Sequence, residues 1–210
     1  GYLTRLNMTD LIDKEKAKLL KKKVEDASDG VILIFGYGAS LISEQSSVLV
    51  YADMPRWEIQ LRMRANKVDN LGIENKNDSI EEKYKRGFFV DWRICDRLKK
   101  KLMHRWDFIL DSTNMEMPVL LTAEAYRKGL EKTLTRPFSL MPYFDQGPWG
   151  GQWMKRVCDL DPEPENYAWC FNCVPEENSL LLAYGDTVFE TPSINLVFAY
   201  PRQLLGEAVH

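Results

Sequence analysis

Val31-Ile-Leu-Ile-Phe35, running directly into Gly36-Tyr-Gly-Ala-Ser40, is the stretch on which the fold turns. An apolar run of strand length, with no polar alternation, predicts a strand covered on both faces, the habit of a parallel sheet flanked by helices. Just upstream, Asp10 to Asp26 gathers Leu11, Leu19, Leu20 and Val24 on one side of a helix. Asp10 or Asp13 caps it, and the order of acids first and lysines later suits the helix dipole. Gly30 ends the helix and admits the apolar run.

The turn that follows has two readings. Exposed amides at Gly36 and Gly38, with Ser40 as a cap for the next helix, can hold a phosphate at the end of a strand. A plain structural turn uses the same residues. No Gly-x-Gly-x-x-Gly and no Gly-Lys-Ser or Gly-Lys-Thr exists in the chain, so no complete phosphate loop is present in the sequence.

Working onward, Ser47 to Ala52 reads as a second buried strand with Asp53 at its carboxyl end, the edge where open α/β sheets bind ligands. Pro55 then starts a helix carrying Trp57, Ile59, Leu61 and Met63, with Arg56, Arg62 and Arg64 near its polar side. Those arginines make either a bidentate phosphate clamp or a solvated helix face. Asp69 to Lys85 is polar and reads as a loop with a short helical piece, Gly87 to Asp91 is strand-like, and Trp92 to Met103 a helix with a basic outer face. Asp91, Arg93, Asp96 and Arg97 alternate in sign, as ion-pair networks do. Trp106 to Asp111 gives a further strand, whose polar end Asp111-Ser-Thr-Asn114 lines a cleft or closes a loop. A last helix opens at Leu121-Thr-Ala-Glu124, capped by Thr122.

The totals bound the function classes. With 210 residues, 45% apolar content and a formal net charge of -3, the chain has material for a good core and no bulk attraction for nucleic acid. Its apolar runs fall short of a membrane span and no leader precedes the first helix, which predicts a cytoplasmic protein. Cys95, Cys158, Cys170 and Cys173 are expected to be reduced, and Cys170-Phe-Asn-Cys173 to pack within a strand. The two histidines, His104 and His210, are too few for a three-histidine zinc site.

Composition changes near residue 136. Most of the ten prolines lie from Pro137 onward. Short β candidates follow at Ala168 to Val174, Ser179 to Ala183, Val188 to Glu190 and Ile194 to Phe198, separated by turn formers. The predicted organisation is therefore an α/β domain over 1–136 and an all-β region over 137–210. The latter is too short to close a barrel, so the chain reads as cut from a larger architecture.

Within the second region, Pro142-Tyr-Phe-Asp-Gln-Gly-Pro148-Trp149-Gly150-Gly151-Gln-Trp-Met-Lys155 and Thr191-Pro-Ser-Ile-Asn-Leu-Val-Phe-Ala-Tyr-Pro-Arg-Gln-Leu-Leu-Gly-Glu-Ala-Val209 resemble the opening of the cupin domain of type I phosphomannose isomerases. The resemblance implies interconversion of mannose 6-phosphate and fructose 6-phosphate in a parent enzyme, with zinc or another divalent metal. Its ligands would lie downstream, so this chain would hold no cofactor and be inactive alone, with Pro148, Trp149, Gly150 and Gly151 structural. Strand Val31 to Phe35, strand Val48 to Tyr51 with Asp53, the helix from Pro55, and Asp91-Trp-Arg93 resemble the later half of a P-loop nucleoside or sugar kinase, whose phosphate loop would precede Gly1. The fold class implied is an incomplete P-loop-kinase-like parallel sheet followed by a partial cupin. Expected partners are a sugar phosphate in the parent, neither nucleic acid nor membrane, and a homo-oligomer. Two rival functions stand beside the isomerase: a nucleotide or sugar-phosphate binding module using Gly36, Gly38, Ser40, Asp53, Arg56 and Arg93, and a structural or interaction segment.

Overall fold

The structure is a computed structural model that describes residues 2–43, 48–136, 156–160 and 179–205. Two short helices open it, α1 (Met8–Leu11) and α2 (Lys14–Glu25), and Asp13 caps the second by accepting from the backbone N–H groups of Glu15 and Lys16. Gly38, in the left-handed region, leads a single 3-10 turn at Ala39–Leu41. Strand β1 (Val50–Asp53) follows, and Pro55, whose fixed φ suits a helix start, leads into α3 (Arg56–Arg64).

Helices α4 (Ile80–Arg86) and α5 (Trp92–Leu102) are joined without a break by a π-helical turn at Gly87–Asp91. The strand expected at Gly87 to Asp91 is thus helical. The cause lies in the four-residue spacing of Tyr84, Phe88 and Trp92, which puts three rings on one helical face. Tyr84 and Trp92 meet edge to face at 5.4 Å, and Phe88 and Trp92 at 6.2 Å. Gly87 lets the turn lie close to Met63 of α3.

Strands β2 (Phe108–Asp111) and β3 (Val119–Thr122) complete a three-stranded sheet of order β1-β2-β3, and Thr122 caps α6 (Ala123–Leu134). The β1-β2 pair is parallel, aligning Asp53 with Asp111, and the β2-β3 pair is antiparallel, aligning Asp111 with Val119. Further along the chain, β4 (Ser179–Tyr184) and β5 (Thr187–Pro192) form an antiparallel hairpin. Helices α7 (Ile194–Ala199) and α8 (Pro201–Leu205) follow. The strand expected at Ile194 to Phe198 is therefore a helix: Pro192 ends the ladder, and Asn195 and Leu196 turn inward on a helical surface.

One core joins these parts. Trp106, Ile109, Tyr126, Leu130, Leu180, Leu182, Phe189 and Leu196 are all buried in it, so α6 is sandwiched between the sheet and the hairpin. Removing each large apolar side chain from water contributes about 1.5–3 kcal/mol before the cost of ordering the chain.

The predicted fold class is corrected on two points. The sheet is open and mixed, not a parallel kinase-like sheet, and no P-loop is present. The described β4-β5 pair is a two-stranded hairpin, and no closed cupin-like barrel exists among the described residues. Val31 to Phe35 also departs from its prediction. It forms no strand and pairs with none among the described residues, and Val31, Leu33 and Phe35 are 97%, 80% and 86% exposed. A strand needs a hydrogen-bonding neighbour, and Gly30 and Gly36, both at positive φ, turn the chain at either end of this run.

Candidate functional site

The parallel pair places two carboxylates side by side at the carboxyl ends of β1 and β2. Alternation along β1 turns Tyr51 and Asp53 to the same inner face, and along β2 it turns Ile109 and Asp111 inward. Ser112, one residue beyond β2, donates both its N–H (2.9 Å) and its hydroxyl (2.8 Å) to the Asp53 carbonyl, locking the two strand ends together.

Helix α5 supplies the countercharge. Lys99 Nζ lies 2.6 Å from Asp53 Oδ2, with the two side chains only 5% and 10% exposed. The same ammonium sits 5.6 Å from the centre of the Tyr51 ring, which stacks on Trp106 at 4.4 Å. One turn earlier on α5, the Asp96 carboxylate is shared by Arg56 of α3 and, at 3.4 Å, by Arg93. The two guanidinium groups also lie over aromatic faces, Arg56 over Trp92 at 5.0 Å and Arg93 over Phe88 at 5.4 Å.

The hairpin and α7 close the other side. Asn195 Nδ2 lies within 2.9 Å of Asp53 Oδ2, Tyr126 Oη and Thr191 Oγ1. It has two hydrogens for those three acceptors, so Asp53 and the hydroxyl pair share them. Asp111 Oδ2 accepts from the Glu190 N–H at 2.8 Å. Glu190 in turn takes hydrogen bonds from Trp57 Nε1 at 3.0 Å and Ser179 Oγ at 2.8 Å. The edge at which an open sheet would receive a ligand is thus occupied by β5 and α7 of the same chain.

The electrostatics follow from this enclosure. Burial, and then the Asp53 charge, push the Tyr51 and Tyr126 hydroxyls well above their ordinary range, keeping both as protonated donors. Burial, aided by the nearby charges of Asp96 and Asp91, pushes the Cys95 thiol up to about 12, which makes it inert as a nucleophile at neutral pH.

Among the residues singled out in sequence, Asp53, Arg56 and Arg93 come together here, linked through Lys99 and Asp96 of α5. Gly36, Gly38 and Ser40 belong to the turn at the foot of α2, where Gly38 packs against Met8 and Ile12. Pro148, Trp149, Gly150 and Gly151, and the pair Cys170 and Cys173, lie outside the described residues. Sequence reasoning missed Lys99 and Asn195. Lys99 lies within the helix whose outer face reads as basic, yet it falls in the stripe Trp92, Cys95, Lys99, Leu102, whose spacing of three, four and three marks an inward face.

A mixed α/β domain with the carboxyl ends of its parallel strands covered by its own hairpin and α7 is the class that this fold and site define. Residues 1–135 match the family model described as Domain of unknown function (DUF8485), and the chain belongs to that family. No curated protein and no solved structure matches it. The isomerase reading is overturned: the chain's family is a different one, and neither a closed barrel nor a cluster of three or more His, Cys, Asp or Glu side chains able to hold a metal ion exists among the described residues. The sugar-phosphate isomerisation, the place in carbohydrate metabolism and the divalent metal inferred with it are withdrawn. No helix of the described residues is long and apolar enough to cross a membrane.

Proposed function

We propose that this chain is a non-catalytic scaffold module in which the buried polar node latches the C-terminal hairpin onto the N-terminal sheet. One observation carries the reading: β5 and α7 occupy the carboxyl edge of the β1-β2 pair, satisfying Asp53 and Asp111 from within the chain. Arg56, Arg93 and Lys99, the cations a phosphate would recruit, are engaged with Asp96 and Asp53. Extracting them for a ligand would leave buried carboxylates uncompensated, a cost of about 3–5 kcal/mol for each broken pair. We place the module in the cytoplasm, a reducing compartment in which the free thiols of Cys95 and Cys158 persist.

Titration calorimetry with ATP, UTP, inorganic phosphate and a hexose 6-phosphate tests the assignment. The expected result is no saturable heat with any of them. Stoichiometric binding that disappears in an Asp53→Asn variant would overturn it in favour of a phosphate-ligand module.

A further inference from the structure

Helix α2 and the unpaired run Val31–Phe35 after it form a largely exposed arm. No residue of α2 is fully buried: Ala17, Leu20 and Val24 recur on one side of it, Ala17 and Val24 half-buried and Leu20 exposed. Val31, Leu33 and Phe35 stand almost fully in water. The arm is nevertheless fixed at its base. Gly38 lies against Met8 and Ile12, the N–H of Thr4 donates to the Phe89 carbonyl at 2.9 Å, and Arg97 holds the Leu6 carbonyl. The chain therefore leaves the body near Ile12 and returns near Gly38, projecting everything between.

The sheet carries the complementary defect. Among the described residues, strand β1 is an edge strand. The Leu49 carbonyl accepts from Phe108, and the Asp53 carbonyl from Ser112, so the backbone groups of positions 49, 51 and 53 face β2. The N–H and C=O groups of Val50 and Ala52 consequently face the edge at which no described strand pairs. Their side chains lie on the outer face, in register with Phe108 and Leu110 of β2 and with Thr122 and Leu120 of β3. Val50 and Leu120 are about half exposed there, at 48% and 53%. Apolar, flat and unpaired edges are sites of strand addition.

We infer that two copies of this chain exchange arms, Val31–Phe35 of each adding as a strand to the β1 edge of the other while the apolar side of α2 covers the outer face of the sheet. The second copy is chosen over other occupants because, among its described residues, each chain carries both halves of the contact, an apolar run of strand length without a neighbour and an edge without a strand. A two-fold arrangement satisfies both at once and leaves neither open. The fixed base favours exchange, since it holds the arm off the body. Oligomerisation gives the scaffold reading its partner and rests on that reading, but it concerns the arm and edge, whereas the ligand titrations concern the node. Failure of either is thus distinguishable.

Sedimentation velocity over a wide concentration range, with three proteins, tests the exchange. The unaltered chain is expected to be a dimer. Leu33→Lys with Phe35→Lys alters only exposed arm positions, and Val50→Pro removes an N–H that faces the open edge and not β2. Each variant alone should be monomeric with unchanged circular dichroism. Mixed together they should form a heterodimer, because an intact arm on one meets an intact edge on the other. An unaltered chain that stays monomeric throughout, or a dimer indifferent to both variants, overturns the inference.

Discussion

Asn195 donates its side-chain N–H to Asp53 at 2.9 Å, joining two positions 142 residues apart in sequence. This bond and the one from Glu190 N–H to Asp111 are what tie the hairpin and α7 to the strand ends. Substituting Asn195→Ala removes a hydrogen bond to a charged group, worth about 1.5–3 kcal/mol. Urea unfolding should show that loss as a lower midpoint. Amide exchange should quicken first in 179–192, ahead of the β1-β2 pair. Uniform acceleration across both would mean that the hairpin is not latched at this point.

Lys99 tests whether the node is an ion pair in substance. Lys99→Met takes away the ammonium that faces the buried Asp53 carboxylate at 2.6 Å, and should cost about 3–5 kcal/mol. The double variant Asp53→Asn with Lys99→Met removes both charges while keeping the shape. It should recover most of that loss, since well-packed neutral replacements of buried pairs are often neutral or better. Additive losses in the double variant would show that the two side chains act independently.

Gly129 sits in the middle of α6, where alanine would ordinarily gain about 1 kcal/mol of helix stability. Here a Cβ would collide with the hydroxyl of Tyr184, which donates to the Ala125 carbonyl at 3.1 Å, and would also stand 3.4 Å from Leu182 Cδ1. The glycine is what lets β4 lie so close to α6. Gly129→Ala is expected to destabilise by about 1–3 kcal/mol through overpacking. In a Tyr184→Ala background the same change should become stabilising. Thermal unfolding of the four proteins reads the reversal directly.

Much of the local structure was legible because local rules decide it. Asp13 and Thr122 cap helices as their positions predict, Pro55 precedes a helix, and Trp106 to Asp111 contains β2. The departures arise where a long-range partner decides. Val31 to Phe35 has the composition of a buried strand, but strand formation depends on a neighbour that a sequence window does not contain. Gly87 to Asp91 is rich in β-forming residues, yet the Tyr84, Phe88, Trp92 spacing that overrides them was visible. The node was half legible. Asp53 follows from its place at a strand end, whereas Asn195 is recognisable only once α7 is known to be a helix that brings this side chain to Asp53. The isomerase likeness failed for a different reason: it rested on short aromatic and glycine-containing strings, which many β-turns share.

Asp91 provides a pH test with a defined sign. Its Oδ2 accepts from Asn70 Nδ2 and, at 3.2 Å, from the Leu71 N–H, and Arg86 Nε lies 3.7 Å from Oδ1. Burial nevertheless dominates, raising the carboxyl above its ordinary value of 3.8 against the pull of those two hydrogen bonds and the arginine charge. A carboxyl whose folded value exceeds its unfolded one stabilises the fold in its protonated form. That contribution is complete below the unfolded value and is lost as pH rises through the folded one. Asp91→Asn preserves an acceptor for Asn70 and Leu71 but carries no charge. The stability of the variant relative to the parent should therefore improve as pH rises from about 4, and level off once Asp91 is fully ionised. Urea titrations of both proteins at a series of pH values measure the difference. A relative stability that falls over that interval would show the Arg86 attraction outweighing burial.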